Sequence, residues 1–252
     1  MKKDAALLRF VLRMADTALI LGQRLIEIVA HGPELEEELA NANFSLDYLG
    51  QARMLYTYAG EIEGKGRTED DFALLRPERE FQSLLLVEQS NGHFGDTIAR
   101  AVLFETFYLL QLQALVDCSD GRLAEIAARA VKEIGYHRRY ACQWLVRLGD
   151  GTEESHARVQ KSLDDLWQFT GELFAADDVD DIVRDEFGGP DLGALRDKWR
   201  SEIAAVVAEA TLKLPEDAWM ASGGRNGEHT EQFGYMIAEM QYLQRAYPGL
   251  SW

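Results

Sequence analysis

The sequence predicts an all-α protein built round a four-helix bundle, and three observations carry that expectation. Apolar residues recur at spacings of three and four through long stretches, the period of an amphipathic helix, and no stretch alternates convincingly enough to read as a strand. Only five prolines, Pro33, Pro77, Pro190, Pro215 and Pro248, interrupt the 252 residues. A composition 47% apolar supplies one large core and excludes a disordered or fibrous chain.

The first helix is expected from about Asp4 to Ala30, with Leu8, Val11, Leu12, Ala15, Leu19 and Ile26 on one stripe and His31-Gly32-Pro33 as its stop. A second begins near Glu34, carries Glu36, Glu37 and Glu38 in its first turn, repeats Leu35, Leu39, Leu46, Leu49 and Met54, and stops at Gly64-Lys65-Gly66. Residues 65–95 read as a loop with short helical pieces. A third helix, about Asp96 to Val116, and a fourth, about Arg122 to Leu148, are parted by Ser119-Asp120-Gly121, and Gly149-Asp150-Gly151 ends the pair. Two hairpins joined by a segment long enough to run the length of the bundle give the one-crossover wiring of a ferritin-like fold. Further helices are expected at about Glu153–Ala175, Leu192–Leu212 and Thr230–Ala246, joined by Gly/Pro/Asp-rich turns. No low-complexity linker divides the chain, so residues 1–252 are expected to form a single ferritin-like domain.

Charge narrows the function. Asp and Glu number 43 against 26 Lys and Arg, a formal net charge of -17 that repels a polyanion and argues against nucleic-acid binding. Cys118 and Cys142 lie 24 positions apart with no CxxC, which predicts neither a disulfide framework nor a zinc site and points to the reducing cytoplasm. The N-terminus starts Met1-Lys2-Lys3-Asp4, but Arg9, Arg13, Asp16 and Arg24 break the apolar run that follows, so neither a signal peptide nor a membrane anchor is expected.

A di-iron site in such a bundle takes one carboxylate from each of two helices and a Glu-x-x-His pair from each of the other two. The i,i+3 spacing sets carboxylate and imidazole on one helical face. One acid stands near the middle of each expected bundle helix: Asp16, Asp47, Glu105 and Glu133. The histidines do not comply. Gly50 stands three positions after Asp47, Tyr136 three after Glu133, and His137 falls one residue beyond the motif unless a wide-helix bulge restores its register. The residues therefore admit two readings, a reduced metal site or a buried polar cluster in which the acids, His137, Gln23, Gln51, Arg53 and Lys132 satisfy one another.

Other signals are bland. The literal Glu153-x-x-His156 sits in the first turn of its helix, where its acids suit the helix dipole better than a metal. His31, His93 and His229 fall in loops or at helix ends and read as cap or surface residues. Trp144, Trp167, Phe169, Phe174 and Trp199 recur at helical spacing, as core or interface packing does. The turn Gly223–Glu231 leads into a Met-, Tyr- and Arg-containing helix that reads equally as a capped helix or as a docking surface.

Longer blocks carry a family resemblance. Leu21-Gly22-Gln23-Arg24-Leu25, the run Leu46–Arg53, the run Leu84–Phe94, Glu133–His137, the run Ala238–Arg245, and the closing Pro248-Gly249 and Trp252 together resemble the C subunits of bacterial ring-1,2-phenylacetyl-CoA epoxidases over almost the whole chain. The resemblance implies a ferritin-like, non-catalytic subunit that has lost the metal ligands and holds no cofactor of its own. It also implies a catalytic A subunit that holds the di-iron centre and binds the coenzyme A thioester, and a reductase with flavin and an iron–sulfur cluster fed by NADPH. Asp16, Asp47, Glu105, Glu133 and His137 would then mark degenerate di-iron positions, with Gln23, Gln51 and Arg53 as the polar network round them. The competing reading is a carboxylate-ligated iron oxygenase active in its own right, and isolation from the A subunit could leave a homo-oligomer.

Overall fold

A computed structural model describes residues 2–250; the closing Trp252 of the resemblance lies outside them. Ten α-helices and no strand occur among the described residues. The bundle is formed by α1 (Lys3–Glu27), α2 (Leu35–Glu63), α5 (Phe94–Leu115) and α6 (Gly121–Gly149), paired as the hairpins α1/α2 and α5/α6. Between the hairpins runs a crossover with α3 (Glu69–Leu74), a 3-10 turn at Glu78–Glu80 and α4 (Leu85–Glu88). Beyond the bundle come α7 (Glu153–Trp167), α8 (Asp178–Phe187), α9 (Leu192–Glu209) and α10 (Glu231–Ala246). This is the all-α, one-crossover arrangement expected from the pattern.

Local chemistry sets the boundaries. Helix α1 stops at Glu27, short of Ala30, because Ala30 turns into the left-handed region at φ 76° ahead of Pro33. At the other hairpin end Gly64 takes φ 67°, the usual left-handed helix terminator, and closes α2. The α1 and α2 backbones approach closely at Gly22, where a Cβ would stand 3.3 Å from both Leu49 and the Ser45 carbonyl; Ser45 Oγ donates to the Gly22 oxygen at 2.8 Å. Asp120 caps α6 by accepting from the Leu123 amide at 2.9 Å.

Helix α5 is buried on nearly every side, with Ile98, Val102, Leu103, Phe104, Phe107 and Leu112 all in the core. It is the one described helix long and apolar enough by composition to cross a membrane, yet 78% of its apolar window is covered by the rest of the protein. A core helix wrapped by α4, α6, α7 and α9 has the same composition for a different reason.

Two expectations about elements need correction. The helix from Glu153 ends at Trp167 rather than Ala175, and a 3-10 turn at Gly171–Phe174 follows. That break turns the buried Glu172 carboxylate toward the amides of Leu85 (2.8 Å), Gly223 (3.0 Å) and Arg225 (3.3 Å), which a continuous helix would not reach. Helix α8 has no counterpart among the expected helices. Its two core valines, Val179 and Val183, are too few to register as a periodic stripe, while the Asp177/Asp180 capping box and left-handed Gly188 were the available signals.

Of the expected apolar repeat of α2, Leu49 and Met54 pack half-buried against the core, but Leu35, Leu39 and Leu46 face the other way. The core side of α2 is built from Phe44, Tyr48, Gln51, Ala52, Leu55, Tyr56 and Ala59, whereas Leu35, Leu39 and Leu46 are 65%, 56% and 64% exposed. At about 100° per residue these three leucines fall within roughly 40° of one another on the outer surface.

Candidate functional site

The midsection of the bundle gathers polar side chains from α2, α5 and α6. Tyr48 and Gln51 enter from α2, Glu105 from α5 and His137 from α6, all buried. His137 Nε2 lies 3.0 Å from Asp47 Oδ2, Tyr48 Oη donates to Glu105 Oε1 at 3.1 Å, and Gln51 Nε2 donates to Glu133 Oε2 at 2.9 Å. His137 Nδ1 stands 4.0 Å from Glu105 Oε1. Phe44 packs on the imidazole with ring centroids 4.1 Å apart, and Arg138 donates to Thr106 at 3.1 Å on the flank.

Helical register decides which residues point inward. The inward i,i+3 pairs are Tyr48/Gln51 on α2 and Ile134/His137 on α6, one residue on from Asp47/Gly50 and Glu133/Tyr136. Gly50 lies on the surface, where an added Cβ would touch nothing within 4 Å, and Tyr136 is 53% exposed. His137 reaches the interior from an unbroken α-helix, so the bulge that would restore its register is not needed. Asp47 and Glu133 sit at the rim, with side chains 42% and 22% exposed.

The structure thus brings Asp47, Glu105, Glu133, His137 and Gln51 into one neighbourhood and leaves four predicted members elsewhere. Asp16 forms a separate buried node on α1. Its carboxylate is paired with the Arg76 guanidinium and accepts from Tyr56 Oη (2.6 Å) and the Gln82 amide (2.8 Å). Arg53 points to solvent and pairs with Glu69 at 3.2 Å. Gln23, half-buried on α1, joins none of the hydrogen bonds that tie the cluster. Lys132 and Glu133 diverge likewise, and Arg129 on the preceding turn is the cation nearest Glu133, at 3.4 Å.

Burial sets the protonation of the cluster. Desolvation pushes the Glu105 carboxyl up to about 8 against the opposing hydrogen bond from Tyr48, so at neutral pH it holds its proton. The same desolvation lowers His137, opposed by the carboxylate of Asp47. A neutral imidazole that donates through Nε2 to Asp47 leaves Nδ1 as a lone-pair acceptor facing Glu105. His137 Nδ1, Glu105 Oε2, Gln51 Oε1 and Tyr108 Oη have no partner. Burial likewise holds the hydroxyls of Tyr48 and Tyr108 protonated far above the usual tyrosine range.

These residues do not fit a di-iron centre. Such a centre asks for four carboxylates and two histidines turned inward. Here the inward positions of α2, α5 and α6 offer one carboxyl, which is protonated, and one imidazole, with Tyr48, Gln51 and Ile134 in the remaining places on α2 and α6, while the buried Asp16 of α1 is taken up by Arg76. Among the described residues no group of three or more His, Cys, Asp and Glu side chains is disposed to hold a metal ion. The Glu153-x-x-His156 pattern is a helix start, in which His156 Nδ1 meets the Gly149 carbonyl at 2.7 Å.

Several residues with defined roles escaped the sequence. Tyr48 stands beside a residue that drew attention as an acid, and Arg76 sits in a segment read as loop. His229, expected at a cap or on the surface, is fully buried against Glu88 at 3.0 Å. The cavity lined by Arg13, Phe104, Phe107, Tyr108 and Gln111 beside the cluster has a volume of about 30 Å³.

The family model described as phenylacetic acid catabolic protein matches residues 1–252. The chain is also similar to the C subunit of the 1,2-phenylacetyl-CoA epoxidase of Escherichia coli (strain K12), at 46% identity over 243 residues, which is 96% of this chain and 98% of that protein. The chain therefore belongs to the family of phenylacetic acid catabolic proteins.

Proposed function

We propose that this chain is a non-catalytic subunit of a phenylacetyl-CoA epoxidase, serving to stabilise and position a catalytic di-iron subunit. The likeness to an epoxidase C subunit gives the system, and the filled interior of the bundle carries the non-catalytic role. Phe104 and Tyr108 stack with centroids 5.2 Å apart, and the adjoining cavity of about 30 Å³ holds a water or two. Sites for small organic ligands run to about 300–1,000 Å³, so an aryl thioester has no room in this cavity. Electrons from NADPH, passed through a flavin and iron–sulfur reductase, would then serve the partner rather than this chain.

The outer leucines of α2 support the same reading. Leu35, Leu39 and Leu46 form an exposed apolar stripe, extended on α6 by Tyr136, whose ring lies edge-on to Phe44 at 5.9 Å. A row of large apolar side chains kept in water makes physical sense where a partner protein lies over it. The test is co-purification of the tagged chain with the catalytic A subunit. Substituting Leu39→Glu together with Leu46→Glu is expected to leave the melting temperature of the isolated chain within about 2 °C, as surface changes do, while recovery of the A subunit falls at least about tenfold, the effect of ~1.4 kcal/mol. Undiminished recovery would remove the stripe from the interface, and epoxidation by the purified chain alone would end the non-catalytic reading.

A further inference from the structure

Beyond the bundle, α10 is fastened to the crossover through a fully buried pair, Glu88 of α4 and His229 just ahead of α10. His229 Nδ1 lies 3.0 Å from Glu88 Oε2, and its Nε2 lies 3.0 Å from the carbonyl oxygen of Phe81. Glu88 Oε1 accepts from the Thr230 amide at 3.0 Å, and the imidazole stacks on Phe233 with centroids 3.9 Å apart. Both ring nitrogens therefore face oxygen atoms. A neutral imidazole has one N–H and cannot serve both. The two contacts are hydrogen bonds together only if the pair holds one more proton than a carboxylate facing a neutral ring, either as imidazolium with carboxylate or as neutral ring with carboxylic acid.

We infer that Glu88 and His229 form a one-proton clamp that seats the Gly223–Thr230 segment and α10 on the crossover, and that the clamp loosens when rising pH removes the proton. Loss of that proton leaves lone pair against lone pair at Glu88 or at the Phe81 carbonyl, with no solvent to intervene. Desolvation raises the Glu88 carboxyl, with Glu172 adding to the effect, which fits a proton retained by the pair. The charged groups on the packed elements are already committed. Arg24 of α1 donates to the Glu88 carbonyl at 3.0 and 2.8 Å and to Glu27, Glu172 accepts from three amides, Arg225 pairs with Asp180 at 2.6 Å, and Arg76 pairs with Asp16. Glu228 and Glu231, on the segment and at the start of α10, are exposed. The remaining ties of α10 to the crossover are modest, chiefly Gln241 Nε2 to the carbonyls of Ala73 (3.2 Å) and Arg76 (2.9 Å) and the Phe233–Phe81 contact.

The sign follows from linkage. The unfolded imidazole gives up its proton near ~6.5, and the clamp requires the folded pair to keep it to higher pH. Stability from the clamp is therefore fully present below that value and is lost as pH rises through the release of the pair's proton.

The experiment is hydrogen exchange on the full chain from pH 6 to 9, corrected for intrinsic exchange rates, comparing residues 223–246 with α5. In the wild type, protection of residues 223–246 is expected to fall about tenfold more than that of α5, the worth of roughly one hydrogen bond. Glu88→Gln keeps both contacts without an ionisable proton, because its amide donates to Nδ1 while its oxygen accepts from Thr230. That variant is expected to abolish the differential fall, and an unchanged fall in Glu88→Gln would overturn the clamp. If the variant fails to fold, nitrogen NMR of wild-type His229 at pH 6 decides. Protonation of both nitrogens, or of Nε2 with Nδ1 accepting a hydrogen bond, supports the clamp, and protonation of Nδ1 alone, or of Nε2 with Nδ1 unbonded, refutes it.

Discussion

Glu105 carries its proton at a pH where a surface glutamate has long lost it. An unfolded glutamate titrates near ~4.3, and burial raises the folded carboxyl to about 8. Between those values the folded chain binds more protons than the unfolded one, so stability from this residue is present below the lower value and lost as pH climbs through the upper. This is opposite to the behaviour of a paired carboxylate. Glu105→Gln keeps an acceptor for Tyr48 and removes the titration. Its melting temperature is expected to match the wild type near pH 5 and to exceed it at pH 8 by several degrees, reflecting about 1–3 kcal/mol for a buried polar group left charged or unpaired. Melts at pH 5, 6.5 and 8 check this, and a gap that does not widen with pH would mean that Glu105 is ionised throughout.

At the scale of elements, the crossover is held by buried charge rather than by helix length. Arg76 lies against the Phe81 ring, 4.2 Å from its centroid, and pairs with Asp16 of α1, which also takes the Gln82 amide. Removing one partner strands the other charge in the core. Asp16→Ala is expected to cost about 3–5 kcal/mol by urea denaturation. A loss below about 1 kcal/mol would show that Arg76 finds solvent or another acceptor. The double change Asp16→Asn with Arg76→Met should recover part of the loss, since apolar replacement of a buried pair is often tolerated.

For the whole molecule, the filled bundle and the net charge of -17 each set an expectation. Elemental analysis of the chain purified alone from iron-supplemented cells should find iron far below one equivalent. A ratio near one or two, lost in Asp47→Ala or Glu133→Ala, would make the chain an oxygenase candidate instead. Self-repulsion should also ease with salt, because the screening length shrinks from about 30 Å at 0.01 M to about 3 Å at 1 M. The melting temperature is expected to rise over that range, and a fall would show that ion pairs such as Arg13–Asp177 outweigh the repulsion.

By itself the sequence determined the four bundle helices, their two hairpins, the long crossover and the family, because periodicity, helix stops and long matching blocks are local or linear properties. It also placed one acid near the middle of each bundle helix. Which face of a helix turns inward is not local. Helix α2 carries two apolar stripes, and only packing against α1, α5 and α6 decided that Phe44, Tyr48 and Gln51 go in while Leu35, Leu39 and Leu46 stay out. That choice moved the inward register one residue past Asp47 and Gly50, and it divided Asp16 from the cluster round Glu105 and His137. The partners of Asp16 and His229 lie 60 and 141 positions away along the chain, at Arg76 and Glu88, and no spacing rule reaches that far. Burial of charge rewards whichever partner the fold delivers, so the tertiary structure alone assigned these pairs.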